Sequence, residues 1–290
     1  MQLLLNIIYS GFLYLSIAFS FSIIYNTYKF LNITYASFIT LSPYFYFLIL
    51  NQLSHSAFIA FPITLFVIVL INLVLDKIIY QPFIKNKVDS FILLIITLGL
   101  YIIFENLISL VWGNESKSLH FNTVKKGNEI FGAILSNIQL VTIFFGAFTA
   151  ITYYCILNKT ILGMQIRAIS SNSELAQTKG INFWEISKYS VIISSFTAAT
   201  IGILVAYDTN LTPNMGFNFL IYGIVVMIIG GAESTLGIIG GSLLLATAQH
   251  FGAYYIDSKW MDAIAYILLI IFLIFKPLGF SGKRLKKVEI

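Results

Sequence analysis

Charged residues punctuate this chain rather than pattern it. Residues 1–28, 30–75, 130–158, 189–207, 209–232 and 234–256 contain no Asp, Glu, Lys or Arg. About 20 apolar residues in a helix span roughly 30 Å of hydrocarbon. The pattern therefore predicts crossings near 4–25, 34–50, 57–77, 90–112, 137–157, 188–207, 217–232, 235–252 and 261–276, nine in all. The run 30–75 is long enough for two of them, and NQLSHS at 51–56 is the natural break. The expected fold is all-α, a polytopic transmembrane helix bundle, with residues 1–290 forming one membrane domain.

One stretch breaks the pattern. GMQIRAISSNSELAQTKGINFWEISKYS, from Gly163 to Ser190, sets Arg167, Glu174, Lys179 and Glu185 among serines, asparagines and a glutamine. Ser171 followed by Glu174 has capping-box spacing, in which hydroxyl and carboxylate each satisfy the other residue's backbone N–H. That cap would start a helix over 172–179, about 12 Å long at 1.5 Å per residue. Gly180 would end it in a left-handed C′ position. Asn182 can cap the next helix, with Glu185 three residues on and Ile181 packing on Ile186 as a hydrophobic staple. A two-turn helix is marginal alone in water, so this one must lean on something: the protein's own surface, or a partner.

Composition fixes the class. Of 290 residues, 58% are hydrophobic and 10% charged, with a mean hydropathy of +0.89. A soluble domain carries about 25% charged residues, so this chain belongs in a bilayer. The net charge of +5 and pI near 9.1 come from charges too few and scattered for nucleic acid. They follow the positive-inside rule instead. With the C-terminus in the cytoplasm, thirteen of the 17 basic residues fall inside and only Lys117, Lys125, Lys126 and Lys259 outside. That orientation makes 158–187 a cytoplasmic loop and 113–136 an external one. Trp112 and Trp260 then sit at outer span ends, where interfacial aromatics belong. The first 28 residues lack a basic n-region and their apolar core is too long for a signal peptide, so a retained helix is expected. The single Cys155 lies in an apolar run and is expected to be a buried packing residue.

In order and spacing, several motifs resemble the permease subunits of branched-chain amino-acid ABC importers. Gly163, Arg167, Ala168, Asn172, Ala176, Gly180 and Ile181 are similar to that family's cytoplasmic coupling loop. GFLYLSIAFSFSIIYNTYKFLN (11–32) resembles its first helix and the turn after it, and TLGLYIIFEN (97–106) a later span. GGAESTLGIIGGSLLL (230–245) carries a similar glycine pattern through Gly230, Gly231, Ser234, Gly237 and Gly241, and KPLGFSGK (276–283) a basic-Pro-x-Gly ending. Departures occur where Ser20 and Asn26 replace glycines, where Ile33-Thr34-Tyr35-Ala36-Ser37 is uncharged, and where Glu233 and Leu236 stand in place of Gly and Pro.

The resemblance implies half of the membrane pore of an ATP-driven importer in a bacterial inner membrane. Its partners would be ABC ATPase subunits, a second permease subunit and an external substrate-binding protein, besides membrane lipid. Branched-chain or other small amino acids are the implied substrates, with urea or short amides as alternatives. In ABC permeases the coupling helix docks in a cleft of the ATPase, so 172–179 would act as a lever. Arg167 would anchor or contact, Glu174 would cap, and Gly180 would terminate.

The remaining candidates add little chemistry. Gly282-Lys283 lacks the upstream glycine of a phosphate-binding loop and is followed by Arg284, so if transport is ATP-driven the ATPase is expected to be another chain. His55, His120 and His250 have no ligand spacing, and no nucleophile–base pair can be argued; no metal, cofactor or catalytic residue is assigned. Lys283, Arg284, Lys286 and Lys287 read as an orientation signal against headgroups. Glu105 lies well inside a predicted span, where a carboxylate should face the bundle or a wet cavity. It would either hydrogen-bond to Asn106 or another helix, or line the translocation path. Glu233, in the glycine-rich turn, is expected to be solvated or ion-paired. Gly237-x-x-x-Gly241 has small-xxx-small spacing, suited to packing within the subunit or against a second one, with direct contact to substrate along the pathway as the alternative. The competing reading is a stand-alone transporter driven by an ion gradient, with Gly-broken spans and an intramembrane acid.

Overall fold

The computed structural model describes residues 1–52, 56–119, 127–130, 132–276 and 279–280. Its long helices coincide with the apolar runs: α1 (Gln2–Tyr28), α2 (Tyr35–Gln52), α3 (Ala57–Leu75), α5 (Ser90–Trp112), α6 (Asn137–Lys159), α9 (Phe183–Asp208), α10 (Met215–Gly230), α11 (Thr235–Tyr255) and α12 (Met261–Phe275). Helix α3 runs on through a π-turn (Asp76–Tyr80) into the short α4 (Gln81–Lys85). Among the described residues, seven helical segments are long and apolar enough to cross a bilayer, counting Ala57–Lys85 and Ser258–Phe275 each as one; the 16-residue α10 is a shorter apolar helix. The chain is a polytopic membrane protein. One hairpin departs from the all-α expectation: β1 (Gly127–Ile130) pairs antiparallel with β2 (Ala133–Ser136), Gly127 opposite Ser136. Gln2 holds it from the start of α1, donating to the Ile134 carbonyl (3.1 Å) and accepting from its N–H (2.9 Å).

Helix α1 is the axis of the bundle, packed on α6, α9, α10 and α11, while α2, α3 and α9 form a second layer. Most of the apolar window of α1 is buried (83%), against 11% for the Ser258–Phe275 segment that contains α12, which places α1 at the centre and α12 at the rim. Apolar burial offers little drive between helices in lipid, so close packing and interhelical hydrogen bonds do that work. Helix α1 is built for it. Ser16 bonds Thr149 of α6 (2.8 Å), Ser20 donates to the Ser194 carbonyl of α9 (2.8 Å), and Thr27 bonds Ser190 (2.8 Å).

Outward faces invert the usual burial rule. Cys155, expected to be buried, is exposed on α6. The face of α6 that packs inward is the stripe Thr142, Gly146, Thr149, Tyr153 and Leu157, and Cys155 lies off it, as expected where small and polar side chains mark helix contacts in lipid. Asp76 is the opposite surprise. Only 1% exposed, it accepts hydrogen bonds from the Tyr28 hydroxyl of α1 and from Gln81 Nε2 (2.9 Å). His55, His120 and the basic tail Lys283, Arg284, Lys286 and Lys287 lie outside the described residues.

Candidate functional site

The polar insertion folds as two helices. Thr160 caps the first, α7 (Ile161–Ser171), its hydroxyl accepting from the Gly163 N–H (3.2 Å). This helix was hidden in the insertion, although Leu162, Ile166 and Ile169 mark an apolar stripe. Gly163, Ile166, Ile169 and Ser170 are buried, whereas Ile161 and Met164 are 73% and 61% exposed. Gly163 makes the tight elbow onto α6 feasible: a Cβ there would lie 2.1 Å from the Ile156 carbonyl oxygen. Arg167 turns back along the same elbow and donates to the Leu157 carbonyl and to Asn158 Oδ1 (3.4 Å). A guanidinium at a helix C-terminus satisfies orphan carbonyls and suits the negative end of the dipole. Ala168 is partly buried on the inner side of α7.

The second helix, α8 (Ser173–Thr178), is the predicted short one, but its cap differs. Asn172, not Ser171, is the N-cap, with Oδ1 accepting from the Leu175 N–H (3.0 Å). Ser171 is consumed as the last residue of α7, which leaves its neighbour to start the next turn. Glu174 accordingly does not complete a capping box; it pairs with Lys87 of the α4–α5 loop (3.0 Å). Both side chains are more than 80% exposed, so the pair orients the loop more than it stabilises it. The helix stop is as expected. Gly180 has φ +87°, its N–H donates to the Gln177 carbonyl (3.0 Å), and the Ile181 N–H to the Ala176 carbonyl (3.1 Å). Those two bonds form a Schellman motif. Ala176 is buried beneath it, and Leu175 points out at 58% exposure. Asn182 then caps α9, accepting from Trp184 and Glu185.

A polar latch fastens this bracket to the bundle. Lys29 follows α1 in a left-handed conformation (φ 59°). Its Nζ reaches Ser170 Oγ (2.6 Å) at the end of α7 and Glu233 (3.1 Å) in the turn between α10 and α11. Ser170 Oγ donates to the same carboxylate (2.7 Å), and Asn26 Nδ2 donates to the Ala232 carbonyl (2.7 Å). Glu233 is thus ion-paired. Burial alone would push its carboxyl up, but hydrogen bonds from Ser170 and Lys29, with the Lys29 charge, outweigh that and hold it below the usual carboxylate range. A small cleft lined by Asn26, Asn158, Arg167, Ser170 and Glu233 marks the junction.

The α10–α11 hairpin carrying Glu233 is a backbone-to-backbone contact. Cβ atoms placed on Gly230, Gly237 and Gly241 would meet main-chain atoms at 2.5, 2.0 and 2.8 Å. The small-residue spacing therefore serves packing within the subunit. Gly231 adopts φ +89° in the turn, and Ser234 caps α11 by accepting from the Gly237 N–H (3.0 Å). Beyond α12 the chain returns to this hairpin: the Phe280 N–H donates to the Ile229 carbonyl (2.8 Å), and Gly279 (φ +68°) lies against the Gly231 N–H. Residues 277–278 and 281–283 of the basic-Pro-x-Gly stretch lie outside the described residues.

Glu105 is far from this assembly. It is half-buried on α5, one turn beyond the buried Tyr101. The Asn106 amide donates to its own helix at Ile102 (2.7 Å).

Comparison with known proteins bears on this architecture. A family profile described as the permease component of the branched-chain amino acid transport system matches residues 3–273. The high-affinity branched-chain amino acid transport system permease protein BraD of Pseudomonas aeruginosa is 26% identical over 216 residues, covering 72% of this chain and 69% of BraD. LivH of Escherichia coli K12, of the same description, matches at the same identity and coverage. The probable branched-chain amino acid transport permease protein LivH of Methanocaldococcus jannaschii is 26% identical over 223 residues, 72% of this chain and 70% of that one. A solved structure, PsaBC from Streptococcus pneumoniae in complex with Fab, shares the fold at a TM-score of 0.54 and 12% identity, covering 96% of this chain and 93% of that one.

Proposed function

The chain belongs to the family of branched-chain amino acid transport permease components, and from that membership we propose that it forms half the pore of an ATP-driven importer. In this reading the chain makes nine crossings with its C-terminus in the cytoplasm of a bacterial inner membrane. A second permease subunit completes the pore, two ATPase subunits bind beneath, and an external binding protein delivers branched-chain or other small amino acids. Urea and short amides are the alternative cargo.

The observation that carries the reading is the bracket α7–α8. It presents exposed apolar Ile161, Met164 and Leu175 away from the bundle, while Arg167 and the Lys29–Ser170–Glu233 latch fasten its inner side to α6, α1 and the α10–α11 turn. An ATPase gripping those apolar side chains could move three elements at once. Gly163, Ala168 and Ala176 let the helices pack closely; Asn172, Gly180 and Ile181 fix where α8 starts and stops. Closure of the ATPase pair would then bias the bundle between inward- and outward-open states, a two-state element shifted by ligand.

The test is uptake of radiolabelled leucine into vesicles holding the purified complex. Uptake should require ATP on the bracket side and persist when ion gradients are collapsed. Uptake driven by an ion gradient without ATP, from the chain alone, would establish the stand-alone transporter instead.

A further inference from the structure

Helix α5 carries a polar side chain on the face it turns away from the bundle. Its buried side is the stripe Leu93, Thr97, Tyr101 and Ile108. Asn106 follows Thr97 by about two and a half turns, which puts it opposite that stripe. It is exposed, as are Ile95, Ile102 and Leu110 on the same face. The 23-residue helix is about 34 Å long, and Asn106 stands about 9 Å short of its Trp112 end. That depth lies within a hydrocarbon layer of roughly 30 Å. One amide proton goes to the Ile102 carbonyl of its own helix (2.7 Å); the other, and the amide oxygen, have no partner among the described residues.

Two other helices with broad outward faces do the opposite. Thr64 and Asn72 of α3 and Thr142 and Thr149 of α6 are buried against the bundle. Gly146 of α6 is likewise used inward, where a Cβ would lie 2.6 Å from Phe12 Cβ. Gly99 is different. It precedes Asn106 by about two turns on the outward face, and a Cβ there would meet nothing within 4 Å. A glycine idle in its own subunit and an amide short of partners therefore share one face of α5.

Acyl chains offer an amide no hydrogen bond, so lipid does not complete this face. Small residues let membrane helices approach closely, and Asn side chains bond across the contact. Gly99 and Asn106 supply both. Half-buried Glu105, beside Asn106, sets the partner's chemistry. A second copy of this chain would bring another carboxylate to the same depth, and like charges there disfavour each other. A different chain with a hydroxyl, amide or basic donor at that depth complements both residues.

We propose that the α5 face through Ile95, Gly99, Ile102 and Asn106 is where a second, non-identical permease subunit packs, one of its helices crossing at Gly99 and a donor side chain reaching Asn106 Oδ1. That the partner is a permease rests on the importer reading above; that protein covers α5 rests on Gly99 and Asn106.

A benzophenone side chain is placed at Ile102, and separately at Phe148 on the outward face of α6 (63% exposed), in the complex purified in nanodiscs. Illumination should join Ile102 to the other membrane chain of the complex, identified by mass spectrometry, and Phe148 to lipid. In parallel, subunit dissociation on dilution in detergent is followed for Gly99→Leu and Asn106→Leu, both on a face that packs on nothing within the chain. Gly99→Leu should weaken association roughly tenfold, as for overpacking at a close contact. Asn106→Leu should weaken it about threefold, the worth of an average interhelical hydrogen bond in a membrane. Crosslinks from Ile102 to lipid alone, or to a second copy of this chain, would overturn the proposal, as would unchanged association in both variants. Lipid-only capture at Ile102 in a complex with ATP-driven uptake rejects this surface and leaves the importer. Capture of a second membrane chain at Ile102, in a protein whose uptake ignores ATP, keeps the surface and rejects the importer reading.

Discussion

Gly180→Pro should abolish ATP-coupled uptake while membrane insertion and subunit assembly persist. Gly180 sits at φ +87°, and proline is locked near −65°, so the Schellman turn cannot form. The substitution also deletes the N–H that donates to the Gln177 carbonyl. Helix α8 then has no defined end, and the angle at which α9 leaves it is lost. Gly180→Ala is the graded comparison. A Cβ there meets no atom within 4 Å, so alanine suffers only the backbone strain of a left-handed residue, about 1 kcal/mol. Uptake assayed beside ATP hydrolysis should show proline uncoupled, with hydrolysis continuing, and alanine still coupled. Normal uptake by the proline variant would remove the lever from the mechanism.

Gly237→Ala should be the most destabilising single-methyl change in the α10–α11 hairpin, and Gly240→Ala, three residues along the same helix, should be nearly silent. The first methyl would lie 2.0 Å from the Gly230 carbonyl oxygen and 2.9 Å from its carbon; the second meets nothing within 4 Å. A main-chain carbonyl cannot rotate aside, so the hairpin must open, at about 1–3 kcal/mol for overpacking of this kind. Opening it also displaces Glu233 from Lys29 and Ser170, coupling the packing defect to the latch. Melting temperatures of the two variants in detergent separate them, and the Gly237 variant should also lose uptake. Equal melting temperatures would show that the hairpin yields without strain.

Much of the bundle was legible because long charge-free runs permit little but membrane helices. Gly180 and Asn182 were legible too, since each carries local backbone chemistry that does not depend on distant contacts. Ser171 misled because two adjacent residues could cap, and helix α7, whose extent decided between them, was concealed by its short polar faces. Its signal was present in Thr160 and the stripe Leu162, Ile166, Ile169. Nothing in the local sequence marks Asp76, beside Lys77 at the end of a predicted span, as buried; only the tertiary packing of α1 brings Tyr28 over it. Cys155 is exposed because it lies off the small and polar stripe Thr142, Gly146, Thr149 and Tyr153 by which α6 packs; in lipid that stripe, not the apolar surface, marks the inward face. The latch was half legible: Glu233 could be foreseen as ion-paired or solvated, but Lys29 and Ser170 lie 204 and 63 residues away in sequence.

Photocrosslinking from a reactive side chain substituted at Leu175 addresses the central claim most directly, with Ile134 on the opposite hairpin as the comparison position. Leu175 should capture an ATPase polypeptide in membranes from cells expressing the whole system, and Ile134 should not. Capture of lipid or of this chain alone at Leu175, or labelling of Leu175 by an impermeant reagent applied outside the cell, would contradict the account.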